Sequence, residues 1–241
     1  MNVLIVFAHP EPKSFSGALA DLAVETLSAS GHSVRRSDLY RSGFQPCAGA
    51  ADFKSRMNPD YLQVFFEQGH ASKTGTHAPD VAAEQEKLAW ADLVIFHSPL
   101  WWFSVPAILK GWFDRVLAVG WAYDFGVWYD TGLMKGKKAM LALTTGGPET
   151  IYSPRGLNGD INVILWPIVH GTLQFCGFDV LEPFVAFGAM LAPEEARARY
   201  LAAYRERLLK IESAPAIPRN PLSDYDEKFE LLPGRERIAP W

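Results

Sequence analysis

Apolar residues recur along this chain in two rhythms. Near-continuous apolar runs at residues 2–8, 93–97 (running on to Pro99), 138–143 and 180–187 have the pattern of strands buried on both faces of a parallel sheet. A more polar run at 33–39 predicts a strand nearer an edge. Between the runs the spacing turns helical. Leu19, Leu22, Ala23 and Leu27 follow a polar loop at 9–16 and are closed by Gly31. Further helices are predicted at 80–90, at 105–117 with Pro106 in its first turn, at 161–175 with an interruption or shift at Pro167, and at 193–211, which is charged and amphipathic. Residues 40–76, with Pro46, Pro59 and several glycines, read as a long excursion carrying at most one short helix. Strands alternating with helices specify an α/β fold, a doubly wound five-stranded parallel sheet with helices on both faces. Residues 1–214 make one domain. Residues 215–241, rich in Pro and charge without periodicity, predict an extended C-terminal arm packing on the domain or on a partner subunit.

Composition narrows the function more than the fold. The net charge of −4, with no long basic block, argues against nucleic acid and against a polybasic membrane anchor. No apolar run is long enough to cross a bilayer. Cys47 and Cys176 are far apart and no charged-then-apolar leader precedes the first strand, so the cytoplasm is the expected compartment. Aromatic residues make up 13% of the chain and include eight tryptophans, several of them clustered, which suits flat pockets as well as large cores.

Ligands of a doubly wound sheet bind beyond the carboxyl ends of its strands, so the loops at 9–16, 99–104 and 144–147 are expected to converge. The first offers Ser14 and Ser16 beside Lys13 at a helix N-terminus, a seat for phosphate. It lacks Gly-x-Gly-x-x-Gly, and the chain holds no Gly-x-x-x-x-Gly-Lys, which disfavours a Rossmann dinucleotide site and a P-loop. The second, Pro99-Leu100-Trp101-Trp102-Phe103-Ser104, carries three consecutive aromatics that one core cannot bury together. In the third, Thr144-Thr145-Gly146-Gly147 exposes backbone N–H groups just past a buried strand, with Tyr152 five residues on; the arrangement suits a flavin. A cluster of Trp121, Tyr123, Phe125, Trp128 and Tyr129 predicts a subunit interface or a pocket wall. His70 and His77 read as polar-loop residues and His97 as a satisfied core histidine or a neighbour of the ligand. Cys176 reads as a small buried apolar residue.

The stretch Ser98-Pro-Leu-Trp-Trp-Phe-Ser-Val-Pro-Ala-Ile-Leu-Lys-Gly-Trp-Phe-Asp-Arg-Val resembles the signature of the NAD(P)H:quinone oxidoreductase family, the DT-diaphorase type within the flavodoxin-like superfamily. So do Thr-Thr-Gly-Gly with its downstream Tyr, the Asn162-Val-Ile-Leu-Trp-Pro-Ile segment, and Phe175-Cys-Gly-Phe. The resemblance runs from the first strand to at least Leu209, with a match in the 224–229 tail. It implies a homodimer with non-covalent FAD and a site at the subunit interface. By motif, His9, Ser14, Phe15 and Ser16 would hold the diphosphate and ribityl part, with Gln63 and Arg197 reaching the adenosine half. Pro99, Leu100, Trp101, Trp102, Phe103, Thr144, Thr145, Gly146, Gly147 and Tyr152 would surround the isoalloxazine, and Tyr123, Phe125 and Phe175 would line a slot where donor and quinone stack in turn.

The implied chemistry is two-electron reduction of quinones by NAD(P)H in ping-pong fashion, with the Gly146 and Gly147 N–H groups, Tyr152 and Asn158 as donors toward developing negative charge. Family members with full nicotinamide activity carry His where this chain has Asn158; a subgroup preferring small dihydronicotinamides carries Asn. That subgroup also holds a structural metal through two His one helical turn apart and a distant Cys. Here His170 is present but Gln174 takes the second position, so no metal is expected. The alternatives are a one-electron flavodoxin-like carrier, and a quinone, azo or nitro reductase that prefers small donors.

Overall fold

The computed structural model describes residues 1–238. The apolar runs form β1 (Asn2–Phe7), β2 (Ser33–Asp38), β3 (Leu93–Pro99) and β4 (Lys138–Thr144), followed by two short pieces, β5 (Asp179–Val180) and β6 (Phe184–Ala186). All pair in parallel in the order β2-β1-β3-β4-β5, with β6 also on β4. The strand expected over 180–187 is therefore present but split. Pro183 has no N–H to give to a ladder, and between the pairs Ala139↔Val180 and Ala142↔Phe184 this strand uses one residue more than β4.

The helices are α1 (Phe15–Ala29), α2 (Val64–Thr74), α3 (Pro79–Trp90), α4 (Ala107–Val116), α5 (Ile161–Ile168) and α6 (Glu194–Leu209). Past Pro167, α5 widens into a π-helical stretch, Val169–Gln174, in which the Thr172 hydroxyl donates to the carbonyl of Pro167 at 3.2 Å. Strand parity sorts the core into two layers. Val3, Ile5, Phe7, Leu93 and Ile95 pack with Leu19, Ala23 and Leu27 of α1 and Leu208 of α6; Leu4, Val6, Val94 and Phe96 pack with Leu88, Trp112, Leu165 and Leu173 on the other face.

His97 lies wholly buried on β3, within 2.8 Å (Nε2) of the Tyr204 hydroxyl of α6. Burial, aided by the Arg36 charge, pushes its pKa down to about 3. The ring is thus neutral in the folded protein while the unfolded chain protonates near pH 6.5, so its contribution is complete above that value and is lost as the pH falls toward 3. Stability should fall by up to about 1.4 kcal/mol per pH unit below 6.5 on account of this group. Urea midpoints from pH 7 to pH 5 check this: His97→Gln should flatten the decline, and an equal decline in the variant would refute the assignment.

Charge rather than apolar periodicity secures the 40–76 excursion. The Arg115 guanidinium, buried on α4, donates to Asp52 Oδ1 (2.9 Å), Asp80 Oδ2 (2.6 Å) and the Gln45 carbonyl (2.6 Å), and lies over the Phe44 ring. Buried Glu67 on α2 accepts the N–H groups of Met57 and Asn58. The arm runs along the domain. Gln174, fully buried, meets His170 Nδ1 at 3.0 Å and donates to the Ile217 carbonyl at 3.1 Å, while Leu222 N–H donates to Asp130 Oδ1 at 2.9 Å. The last three residues of the expected arm, 239–241, lie outside the described residues. Among the described residues no group of three or more His, Cys, Asp or Glu could hold a metal ion, and no helix is long and apolar enough to cross a membrane.

Candidate active site

Helix α1 begins against the carboxyl end of β1. Ser14 caps it, accepting the Gly17 N–H at 3.1 Å, and no acid occupies the first turn. The remaining first-turn N–H groups, of Phe15 and Ser16, have no partner among the described residues and offer a seat for an anion. The approach is close: a Cβ on Gly17 would lie 2.0 Å from the Pro12 carbonyl oxygen. His9 Nδ1 lies 2.9 Å from the Glu11 N–H and 3.0 Å from the Glu11 carbonyl, so Glu11 engages this nitrogen in either tautomer and Nε2 faces away from it; burial lowers the pKa of the ring against the opposing influence of Glu11.

The loop after β3 turns sharply. Trp101 and Ser104 exchange both backbone hydrogen bonds (2.9 and 3.0 Å) across Trp102 and Phe103, whose φ values are 51° and 58°. Positive φ at both central residues is the signature of a type I′ turn, normally built from Asn and Gly, so two bulky aromatics there are strained. Trp102 is consequently 95% exposed.

The loop after β4 is latched to its neighbours. Ser16 and Thr144 share a buried hydroxyl contact of 2.8 Å, Leu100 N–H donates to the Thr144 carbonyl at 2.8 Å, and Gly188 N–H donates to the Gly147 carbonyl at 2.7 Å. Gly188 has φ +64°, the backbone state that lets the loop after β6 reach it. A Cβ on Gly147 would meet Ile151 Cδ1 at 2.4 Å, whereas one on Gly146 would meet nothing within 4 Å. Tyr152 follows on a short 3-10 turn, its ring 5.8 Å from that of Phe187.

These loops enclose a cleft of about 810 Å³. Of the residues singled out from sequence, it is lined by His9, Ser14, Phe15, Ser16, Pro99, Leu100, Trp101, Thr144, Thr145, Gly146, Tyr152 and Arg197. Trp102, Phe103, Gly147, Asn158 and Gln63 do not line it. Gln63 stands at the start of α2, and the Asn158 backbone N–H closes the following loop on the Ile151 carbonyl at 2.8 Å. Ser16 also differs from expectation, since its hydroxyl is committed to Thr144 and only its backbone N–H is free for a phosphate. Ala189, Met190 and Leu201 line the cleft and were not anticipated. The first two follow the split fifth strand, so the carboxyl-end rule applied to that strand would have found them.

Tyr123, Phe125 and Phe175 lie elsewhere in the chain. Tyr123 packs edge-on against Phe175 at 5.2 Å, and Phe175 stacks on Trp128 at 5.7 Å. Phe125, 83% exposed, borders a separate depression with Met57, Phe65 and Phe66, all three exposed.

Residues 1–209 match a family model described as flavodoxin-like fold. The chain belongs to the flavodoxin-like family. Within it, this flavodoxin-like chain is 48% identical over 218 residues to the ribosyldihydronicotinamide dehydrogenase [quinone] of Homo sapiens, covering 90% of this chain and 94% of that one. It is 44% identical over 230 residues to NAD(P)H dehydrogenase [quinone] 1 of Cavia porcellus, covering 95% and 84%. The crystal structure of a Klebsiella pneumoniae protein, 40% identical, superposes with a TM-score of 0.92 over 99% of this chain and 98% of its own. Strand order and helix placement agree with that membership, and the cleft lies at the β1–β3 rim where strand order reverses. The residues fit a flavin: unpaired helix N–H groups for a phosphate, an open face at Gly146 for a flat ring, and hydrogen-bonding groups at Tyr152 and His9.

Proposed function

We propose that this chain is a FAD-dependent quinone reductase. The observation that carries the reading is the convergence of three loops remote in sequence, with Tyr152, on one cleft. A bound flavin supplies acceptance of a hydride from NAD(P)H and its delivery to a quinone, which with a proton becomes the hydroquinone. Around it the chain provides fixed polarity. The Phe15 and Ser16 N–H groups would hold a phosphate, and the cleft continues past that seat to Met190, Arg197 and Leu201, room that favours FAD over FMN. The Gly146 N–H and the Tyr152 hydroxyl donate toward developing negative charge, and aromatic walls admit one flat molecule at a time, so donor and acceptor alternate in ping-pong order.

A homodimer completes this reading. Trp102 and Phe103 project beyond the cleft, and Tyr123, Phe125 and Phe175 sit outside it; a second copy packed on the exposed Met57, Phe65, Phe66 and Phe125 surface would bring the two sets together. Asn158 stands on the loop that carries Tyr152 and is assigned to the substrate side with them. Both cysteines are free, as a reducing compartment keeps them, and we place the protein in the cytoplasm.

Purified protein should be yellow, bleach with NADH or NADPH, and regain colour with a small quinone, the flavin released on denaturation being FAD. Failure of both donors to bleach it would refute the reading. Tyr152→Phe should keep the flavin and lower kcat about tenfold, the worth of one hydrogen bond to developing charge. Stopped-flow reduction measures it, and an unchanged rate removes Tyr152 from the chemistry.

A further inference from the structure

A cavity of about 310 Å³, separate from the flavin cleft, lies between the widened end of α5 and the C-terminal arm. Its walls are aromatic. Trp128, Tyr129, Phe175, Tyr225 and Phe229 line it, with Phe229 edge-on to Trp128 at 5.9 Å and Trp128 stacked on Phe175 at 5.7 Å. Tyr123 and Phe125 contact Phe175 (5.2 Å) and Trp128 (6.2 Å) without lining the cavity, so Phe175 and Trp128 stand as a partition between it and those two residues. Backbone strain gathers at the same place. Of the four non-glycine residues with positive φ among the described residues, two are Trp102 and Phe103; the other two, Tyr129 (50°) and Phe229 (61°), both border this cavity. Such conformations persist where the surroundings hold a side chain at a site of use.

The polar groups of the cavity are an acceptor and a cation. Trp166 and Tyr129 stack on the His170 ring at 4.2 and 5.0 Å. Gln174 gives its amide N–H to the Ile217 carbonyl, so its oxygen faces His170 and Nδ1 carries the proton. Nε2 of the neutral ring is then an acceptor without a partner among the described residues. Burial lowers the pKa of this ring against the Gln174 hydrogen bond, and the Arg237 and Arg219 charges lower it further. Arg237 acts electrostatically on both His170 and Tyr129, and its guanidinium has no hydrogen bond or ion pair among the described residues. Asn220 pins the backbone on either side of it, donating to the Glu236 carbonyl at 3.0 Å and accepting the Ile238 N–H at 2.7 Å. No carboxylate lines the cavity, and the nearby acids are committed, Asp130 to the Leu222 N–H and Asp224 to Asn220 and Arg235.

Flat walls, one open acceptor and one uncommitted guanidinium, in a space at the lower end of the range for small-molecule pockets, select a ligand of one or two rings that carries both a negative charge and a hydroxyl. We propose that this cavity binds a small planar aromatic hydroxy acid, its rings among the aromatic walls, its carboxylate on Arg237 and its phenolic hydroxyl donating to His170 Nε2. The site goes beyond the quinone reductase reading and does not depend on it.

Calorimetric titration of the flavin-loaded protein with 6-hydroxy-2-naphthoate tests the cavity without any turnover. Arg237→Ala should bind this probe about tenfold more weakly, as loss of one charge-assisted hydrogen bond implies. The methyl ester of the probe keeps the rings and the hydroxyl but not the charge; it should bind the unaltered protein as weakly as the variant binds the acid, and should not distinguish the two proteins. 2-Naphthoate, which lacks the hydroxyl, should also bind more weakly than the probe. The flavin absorption bands should stay unmoved as the cavity fills, whereas a compound lying over the isoalloxazine shifts them. No binding of the probe at millimolar concentration, equal affinity of the acid for Arg237→Ala, or a flavin shift that tracks the binding curve would overturn the proposal. Should no donor reduce the flavin, the quinone reductase reading fails while the calorimetry still decides the cavity.

Discussion

Gly17→Ala is expected to yield a folded protein that has largely lost its flavin. The new Cβ would stand 2.0 Å from the Pro12 carbonyl oxygen, and that contact is backbone, so neither side can relieve it by turning a side chain. No positive φ is involved, and Ala is the better helix former, so α1 itself should gain. The displacement falls instead on the loop that connects β1 to α1, which carries His9, Lys13 and Ser14 into the cleft. Overpacking of this kind costs about 1–3 kcal/mol, which as misplaced contacts corresponds to roughly ten- to hundredfold weaker flavin binding. Flavin content after gel filtration and the dissociation constant by fluorescence quenching measure the effect, with far-UV circular dichroism as the control for folding. A yellow variant of undiminished affinity would mean that the loop yields without consequence and that the phosphate seat is elsewhere.

Arg115→Ala should destabilise the whole domain. The guanidinium is almost fully buried and so is Asp52; removing the cation leaves that carboxylate in the interior without its countercharge, and frees the Gln45 carbonyl and Asp80 at once. Breaking a buried pair from one side costs about 3–5 kcal/mol, a large part of the roughly 5–15 kcal/mol by which domains are stable. Urea unfolding should show a midpoint shift of that order, and Asp52→Asn in the Arg115→Ala background should recover part of it, because the orphaned charge is then gone. Burial alone would raise the Asp80 carboxyl, but the Arg115 hydrogen bond and charge hold it below its ordinary value; its share of stability is present at neutral pH and lost as acid protonates it. The variant should lose this part of the acid dependence. A loss of unfolding free energy below about 1 kcal/mol would show that the excursion is secured by packing alone.

Where burial alternates with a fixed period the sequence made the fold legible, and where contacts are made by single residues it did not. Residues 3–8, 93–97 and 139–143 are apolar on both faces because helices cover both faces, and the strands lie where that pattern puts them. The three convergent loops could then be placed by topology alone. The split in the fifth strand turns on one proline, Pro183, inside a run whose apolar content is uninterrupted on either side. α2 has little apolar signal because polar side chains hold it, Glu67 accepting from Met57 and Asn58, Gln68 donating to the Asp114 carbonyl and Ser72 to that of Val119, while Phe65 and Phe66 are exposed. The resemblance makes Trp102 and Phe103 ring neighbours of a ligand. Their positive φ values could not be foreseen, since neither residue type favours that region, and it is this turn that sends Trp102 out of the cleft. Tyr123, Phe125 and Phe175 were grouped with the cleft by resemblance, and a single chain does not bring them there.

The backward-bent pair Trp102 and Phe103 carries a consequence for kinetics. Holding two bulky residues in that conformation costs of order 1–3 kcal/mol each, and the hydrogen bonds between Trp101 and Ser104, internal to the chain, impose it. The energetic debt is settled while the polypeptide folds, so in the homodimer proposed above an arriving aromatic compound would meet rings already held in place, and its capture would not wait for the loop to rearrange.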